Sequence, residues 1–260
     1  MKVIAVANKK GGSGKSTSAV NLAAFLAHQG IRTLVVDLDA QAHATIGCGI
    51  KPRKLKDTVH HLMASLDGSG IAQCIRTTEI EHLSILPAQQ EFDVTQIPRD
   101  PKAPLVLHDA LELLEGQFDA VVIDSPPSLD LPMYNAVLAA DSLLIPFQPG
   151  FLNYDGVGQM LRVLFKAAAK YRHQLELLGV LPVMVNASAR MHRQILKQAL
   201  EQFGKARVLS PIRRDIKLEE AFMHHQPIVS YAPYSGGALC YKKLAQSVAI
   251  KLNIPAGGLV

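Results

Sequence analysis

Cysteine is scarce: three in 260 residues, at Cys48, Cys74 and Cys240, with no CxxC pair among them. That spacing excludes an even disulfide framework and fits a reducing, cytosolic compartment. All three read as small buried apolar side chains. Tryptophan is absent, and aromatic residues make up 5% of the chain. No unbroken apolar run approaches the ~18 residues of a membrane-spanning helix. The N-terminal MKVIAVANKKGG has neither the long apolar stretch nor the cleavage site of a signal peptide. Glycine and proline form no repeat, which excludes a collagen-like chain. Charged residues are 19% against 48% hydrophobic, which excludes intrinsic disorder and supplies a sizeable core.

Charge is present but unevenly placed. The chain carries 27 Lys and Arg against 22 Asp and Glu, a net of +5. Residues 151–260 hold 15 basic and 6 acidic residues, a net of +9, which leaves residues 1–150 at −4. The asymmetry points to a polyanion-facing surface in the C-terminal part. On composition alone, an ordinary solvated surface is the simpler reading.

Hydrophobic patterning gives the architecture. Val3–Ala7 is a short β-branched run before a glycine-rich stretch and reads as a buried strand. Residues 15–29 have helical spacing and stop at Gly30; Arg32–Asp37 is a second buried strand ending in acid. Strand, helix and strand within about 37 residues make a βαβ unit with parallel pairing. Further strands fall at 83–86, 120–124, 142–145 and 180–185, with helical patterns at 105–114, 134–139, 156–169 and 190–203. This alternation predicts an α/β fold: a doubly wound, mostly parallel sheet with helices on both faces. No Ser/Gly/Pro tract divides the chain, so residues 1–260 read as a single domain. The stretch of about 50–76 reads as an inserted helix and loop, with a basic cluster (Lys51, Arg53, Lys54, Lys56) and a surface pair, His60 and His61.

The most specific pattern is Asn8-Lys9-Lys10-Gly11-Gly12-Ser13-Gly14-Lys15-Ser16-Thr17, between the first strand and the first helix. Glycines let backbone N–H groups turn toward phosphate oxygens, and the helix adds its positive N-terminal end. Lys15 is placed to hold β- and γ-phosphates, and Ser16 to hold Mg²⁺. The general phosphate-loop pattern opens with glycine, whereas position 9 is Lys, so this is a variant P-loop with an extra lysine, Lys10. Two acidic strand ends support a P-loop NTPase: Asp37-Leu38-Asp39 and Asp124. In an open parallel sheet such ends meet at the ligand crevice. Asp124 fits a Mg²⁺-associated acid, directly or through water, and one of Asp37 and Asp39 can orient the attacking water.

Lys10-Gly-Gly-Ser-Gly-Lys15-Ser, Val36-Asp37-Leu-Asp39-Ala-Gln41 and Val122-Ile-Asp124-Ser-Pro126-Pro127-Ser128 resemble the deviant Walker ATPases of the ParA/MinD type. Further matches are Pro87-Ala, Ile145-Pro146-Phe-Gln148-Pro149 and Pro211-Ile-Arg213-Arg-Asp-Ile-Lys217. The likeness runs in order along nearly the whole chain and is greatest to short, Soj-like partition proteins. Ala40 departs from the Pro usual in the Asp-x-Asp-Pro-Gln motif, and residues 50–76 match poorly. The resemblance implies ATP and Mg²⁺ as cofactors and slow, partner-stimulated hydrolysis. It implies an ATP-dependent homodimer in which Lys10 reaches the other protomer's phosphates. It assigns Gly11 to Thr17 to the nucleotide, Asp39 to the hydrolytic water, Asp124 to the metal, and Asn186 and Pro211 to the base.

Within residues 186–217, Arg190, Arg193, Lys197, Lys205, Arg207, Arg213, Arg214 and Lys217 face only Glu201 and Asp215. Arg190, Arg193 and Lys197 fall at i, i+3 and i+7 on one helix face. No aromatic side chains interleave them, so contact is expected with phosphates rather than bases. Together with the resemblance, this makes 186–217 a DNA-facing region, with Arg190, Arg193, Lys197, Arg213, Arg214 and Lys217 binding double-stranded DNA without sequence preference. The implied partners are a second copy of the chain, DNA and a ParB-like or other adaptor, and the implied location is the cytoplasm, on the nucleoid. ParA-like positioning of another cargo, such as a chemotaxis cluster or carboxysome, is the alternative. A MinD-like membrane cycle needs a basic amphipathic C-terminal helix. Residues 251–260 are short and broken by Pro255 and two glycines, so no membrane partner is expected.

Overall fold

A computed structural model describes residues 1–53, 55–171 and 173–255, the side chains of 151–153 and 155 excepted. Lys54 of the basic cluster and residues 256–260 of the C-terminal stretch lie outside the described residues.

Seven strands build one sheet: β1 (Lys2–Val6), β2 (Thr33–Asp37), β3 (Arg76–Thr77), β4 (Leu83–Leu86), β5 (Ala120–Asp124), β6 (Ser142–Phe147) and β7 (Glu176–Pro182). Their order is β3-β4-β2-β5-β1-β6-β7, parallel throughout except for the β3 edge. Parallel sheets need both faces covered, and the helices do this in two groups. In chain order they are α1 (Lys15–Ala27), α2 (His43–Gly47), α3 (Val59–Ser65), α4 (Ile71–Cys74), α5 (Val106–Glu112), α6 (Leu131–Leu138), α7 (Phe151–Lys170), α8 (Arg190–Phe203), α9 (Ile216–Met223), α10 (Ile228–Tyr231) and α11 (Gly236–Lys251). Helices α3 to α8 cover the face that carries Val3, Ala5, Leu34, Val36, Val121 and Ile123. Helices α1, α2 and α9 to α11 cover the face of Ile4, Val6, Val35 and Val122. Odd and even positions of each central strand thus enter different cores, as the period of two requires. Full burial of each such Ile, Leu or Val is worth about 1.5–3 kcal/mol.

The register sets the site. Val6 and Asp37 both lie opposite Asp124, so the carboxyl ends of β1, β2 and β5 finish level with one another. Polar anchors then lock α1, which follows β1, to the C-terminal helices. Ser18 bonds the Tyr241 hydroxyl on α11 (3.1 Å), and Asn21 Oδ1 accepts the Ile228 N–H of α10 (2.7 Å).

Most expected elements stand within a few residues of their expected bounds. The late strand is the exception: it runs over Glu176–Pro182, earlier than 180–185. Residues 50–76 hold two short helices, α3 and α4, and lead into β3, rather than one helix and a loop. His60 corrects the expected surface pair: it is fully buried, whereas His61 is exposed. Cys48 and Cys74 are buried as expected, but Cys240 is only half-buried.

Candidate nucleotide site

Beyond β1 the chain passes Asn8, whose Nδ2 donates to the Pro146 carbonyl (2.7 Å) and whose Oδ1 accepts the Lys10 N–H (3.1 Å). This pins the start of the loop to the end of β6. Gly12 (φ 67°) and Gly14 (φ 80°) adopt left-handed backbone, which costs an L side chain about 1–2 kcal/mol. A Cβ on Gly14 would also lie 3.2 Å from Val183. Gly14 caps α1 without a side chain, so the first-turn N–H groups stay open to an anion. Lys15 is buried, and its Nζ donates to the Lys10 carbonyl (3.3 Å), curling back over the loop. Burial lowers the Lys15 pKa, while Asp124 and Asp39 pull it back up.

The three strand-end acids play different parts. Asp37 is a structural hub: Oδ2 accepts both the N–H and the hydroxyl of Thr45 (2.7 Å each), and Oδ1 accepts the Asp39 N–H (3.1 Å). Burial pushes its pKa up to about 7 against those bonds. Asp37 is therefore committed to holding the loop, which leaves Asp39 to face the cavity. Asp39 Oδ1 accepts the Gln41 N–H (3.0 Å), closing a turn that aims its carboxylate at the phosphate loop. Asp124 is fully buried, and neither of its oxygens has a hydrogen-bond partner; Ser13 Oγ is in the same condition. Burial and then the charge of Asp37 hold the Asp124 pKa well above the usual carboxylate range, opposed by Ser16 and Lys15. Buried unpartnered acceptors beside a lysine are costly unless a cation or its water completes them. The donor set of Ser16 and Asp124, all oxygen, fits Mg²⁺.

Two cavities meet over this floor. One, of about 470 Å³, is lined by Gly11 to Thr17, Asp39, Gln41, His43 and Pro127. The other, of about 580 Å³, holds Gln148, Asn186, His192, Arg213, Arg214 and Asp215 among its lining. Gly14, Thr17, Met184 and Phe222 line both, so the two form one trough with a phosphate end and a base end. Asn186 stands at the base end; its N–H donates to His192 Nδ1 (3.1 Å), and its Oδ1 accepts from Ser188. Pro211 is exposed and lines neither cavity, whereas its neighbour Ile212 lines the larger one, its N–H bonded to the Pro182 carbonyl at the end of β7. No local pattern marks Thr45, Met184, His192 or Phe222. Gln41 and His43, two and four residues past Asp39, were within reach of the motif.

The basic residues divide. Arg190, Arg193 and Lys197 are exposed on the face of α8 opposite buried Ile195 and Ala199. Arg193 spends Nη1 on the Ala187 and Ser188 carbonyls (2.9 Å each), Lys197 lies 3.8 Å from Glu201, and Lys217 bonds Glu220 (2.7 Å). Arg213 and Arg214 line the base end of the trough rather than the α8 face.

A model of the AAA domain family matches residues 1–177. The sporulation initiation inhibitor protein Soj of Bacillus subtilis is 35% identical over 250 residues, 95% of this chain and 98% of that one. The chromosome-partitioning ATPase Soj of Thermus thermophilus is 35% identical, covering 96% of each chain. The chain belongs to the ParA/Soj family of partition ATPases. Among solved structures, cobyrinic acid a,c-diamide synthase from Mycobacterium smegmatis with bound ADP and magnesium superposes with a TM-score of 0.81 at 29% identity, covering 97% of this chain and 96% of that one. The septum site-determining protein MinD from Pyrococcus horikoshii, at 24% identity and a TM-score of 0.79 over 100% and 99% of the chains, shares the fold. The glycine-rich loop after β1, the acidic ends of β2 and β5 and the trough thus lie together at the carboxyl edge of the sheet. No helix among the described residues is long and apolar enough to cross a membrane.

Proposed function

We propose that the chain partitions DNA by cycling between an ATP-bound homodimer held on double-stranded DNA and a released ADP form. The observation that carries the site is the trough itself, with buried Lys15, unpartnered Asp124 and cavity-facing Asp39 at its phosphate end. Gly11 to Thr17 cradle the phosphates with backbone N–H groups, and Lys15 neutralises β- and γ-oxygens. Ser16 and Asp124 would hold Mg²⁺, which would supply positive charge beside the phosphates. Asp39 orients the attacking water, and Asn186 bounds the base. Lys10, whose stem passes over Gly156 of α7, swings to the partner's phosphates and supplies a cation in trans. Nucleotide state then controls dimerisation, and dimerisation doubles the basic α8 face offered to DNA. A ParB-like adaptor stimulates hydrolysis and release, which places the protein in the cytoplasm, on the nucleoid. The whole chain, 1–260, works as one domain in this cycle.

The test combines three assays on the wild type and Lys10→Ala: ATP hydrolysis with Mg²⁺, light scattering for dimerisation, and co-sedimentation with DNA of unrelated sequences across a salt series. Wild type is expected to hydrolyse ATP, to dimerise with it, and to bind all sequences alike. Log affinity should fall against log salt by about 0.9 per phosphate contact. Lys10→Ala should bind ATP yet stay monomeric and off DNA. A Lys10→Ala protein that dimerises like wild type removes the trans role, and a strong preference for one DNA sequence removes nonspecific binding.

A further inference from the structure

His60 belongs to the segment least readable in the sequence, yet it is fully buried beside the hydrolytic loop. Its ring stacks on Phe92, with centroids 4.6 Å apart and planes within 8°. Nδ1 accepts the Gln89 N–H at 3.0 Å, so in the neutral ring Nε2 carries the hydrogen and donates to the Leu38 carbonyl at 3.3 Å. Leu38 lies between Asp37 and Asp39. Its own N–H donates to the Asp124 carbonyl at 3.0 Å. The Leu38 residue is thus clamped from both ends, by the metal-side strand β5 and by His60. The surrounding bonds run the same way: Glu91 N–H donates to Ala40 O (2.9 Å), and Ala88 N–H to Thr45 Oγ1 (3.0 Å). The 87–92 loop and α3 therefore brace the 37–45 loop, and His60 is the side chain of α3 that touches its backbone between the two acids.

We infer that His60 is a positioning residue for hydrolysis, whose bond to the Leu38 carbonyl fixes where Asp39 presents its carboxylate. The Leu38 carbonyl sits on the peptide that joins Leu38 to Asp39, so rotation there swings the Asp39 side chain directly. A misplacement of about 1 Å at such a group costs up to ~100-fold in rate. Nucleotide binding is made elsewhere, by the phosphate loop and the base cavity, and does not depend on this peptide. The consequence is a split: loss of the tether lowers turnover and leaves ATP affinity alone.

The inference rests on the ATPase reading above, and the experiment separates the two. Full-length wild type, His60→Phe, His60→Gln and His60→Asn are compared for ATP affinity, single-turnover hydrolysis with Mg²⁺ and nonspecific duplex DNA, and melting temperature. Phe keeps the stack and loses both bonds. The Gln side-chain amide can restore the donor to Leu38, and the Asn side-chain carbonyl the acceptor for Gln89. His60→Phe is expected to lose about tenfold in turnover with ATP affinity within twofold of wild type, and His60→Gln to recover most of the rate where His60→Asn does not. If His60→Phe fails to fold, the order of Gln above Asn carries the test alone. Wild-type turnover in His60→Phe, or equal loss in Gln and Asn, overturns the positioning role. A wild type that binds but never hydrolyses ATP overturns the ATPase reading instead.

Discussion

The two ends of the trough are built in opposite ways. At the phosphate end, seven consecutive residues, Gly11 to Thr17, and the acids at or just past two strand tips supply most of the polar groups, as backbone N–H donors and buried charges. At the base end, the lining comes from Gln148 just past β6, the segment after β7, the start of α8, residues 212–215, α9 and Tyr241 of α11. The first is a local device whose chemistry depends on spacing; the second is assembled from segments far apart in sequence, and its chemistry depends on how they pack. A local device built on buried charge fails abruptly when one group is changed, because the remaining charges lose their counterpart. An assembled cavity degrades in small steps, since each wall residue contributes one contact among many.

The largest effect should come at the phosphate end. Asp39→Ala should lower ATP turnover by about 100-fold or more while the ATP-bound dimer accumulates, as read by single-turnover hydrolysis beside light scattering. Near-normal turnover would move the water-orienting role away from Asp39, and the committed bonds of Asp37 to Thr45 make that acid a poor replacement.

Next comes acid sensitivity of the brace. Burial lowers the His60 pKa to about 4, while the unfolded chain titrates near 6.5. Below that value the unfolded state takes up a proton that the folded state refuses, so stability is whole above about pH 6.5 and is lost as pH falls toward 4. The loss should reach about 2 kcal/mol at pH 5. His60→Gln has no such group, so the unfolding free-energy gap between it and wild type, read by chemical denaturation, should change by that amount between pH 7.5 and pH 5.

At the base end, Asn186→Ala should weaken ATP binding by about tenfold, or about 1.4 kcal/mol, with turnover at saturating ATP preserved. A nucleotide titration beside a saturating-rate assay checks this. A 100-fold loss would make the base end as brittle as the phosphate end and erase the contrast. Smallest is Tyr241→Phe, which removes the bond between α11 and Ser18 of α1. It should cost about 1 kcal/mol of stability in chemical denaturation and leave the rate unchanged.

The parallel strands β1, β2 and β4 to β7, the helices α1 and α5 to α8, the glycine loop and the acidic tips of β2 and β5 were legible in the sequence alone, whereas the β3 edge and the helices α2 and α9 to α11 were not. Each is written in consecutive residues: β-branched runs for buried parallel strands, glycines where φ turns positive, acid where a strand stops. The tertiary structure decided what depends on distant partners. Asp37 and Asp39 are alike as sequence, two acids flanking one leucine. Only Thr45, eight residues on, makes the first a scaffold and leaves the second facing the cavity. His60 read as half of a surface pair because nothing next to it announces Phe92, Gln89 and Leu38. Arg213 and Arg214 shared a charge cluster with Arg190 in one dimension, yet the bond of Ile212 to Pro182 carries them into the trough wall while α8 turns Arg190 outward. Local conformational preference is encoded by neighbours in the chain. The partner of a buried polar group, and the direction in which an exposed charge points, are set by which elements pack together.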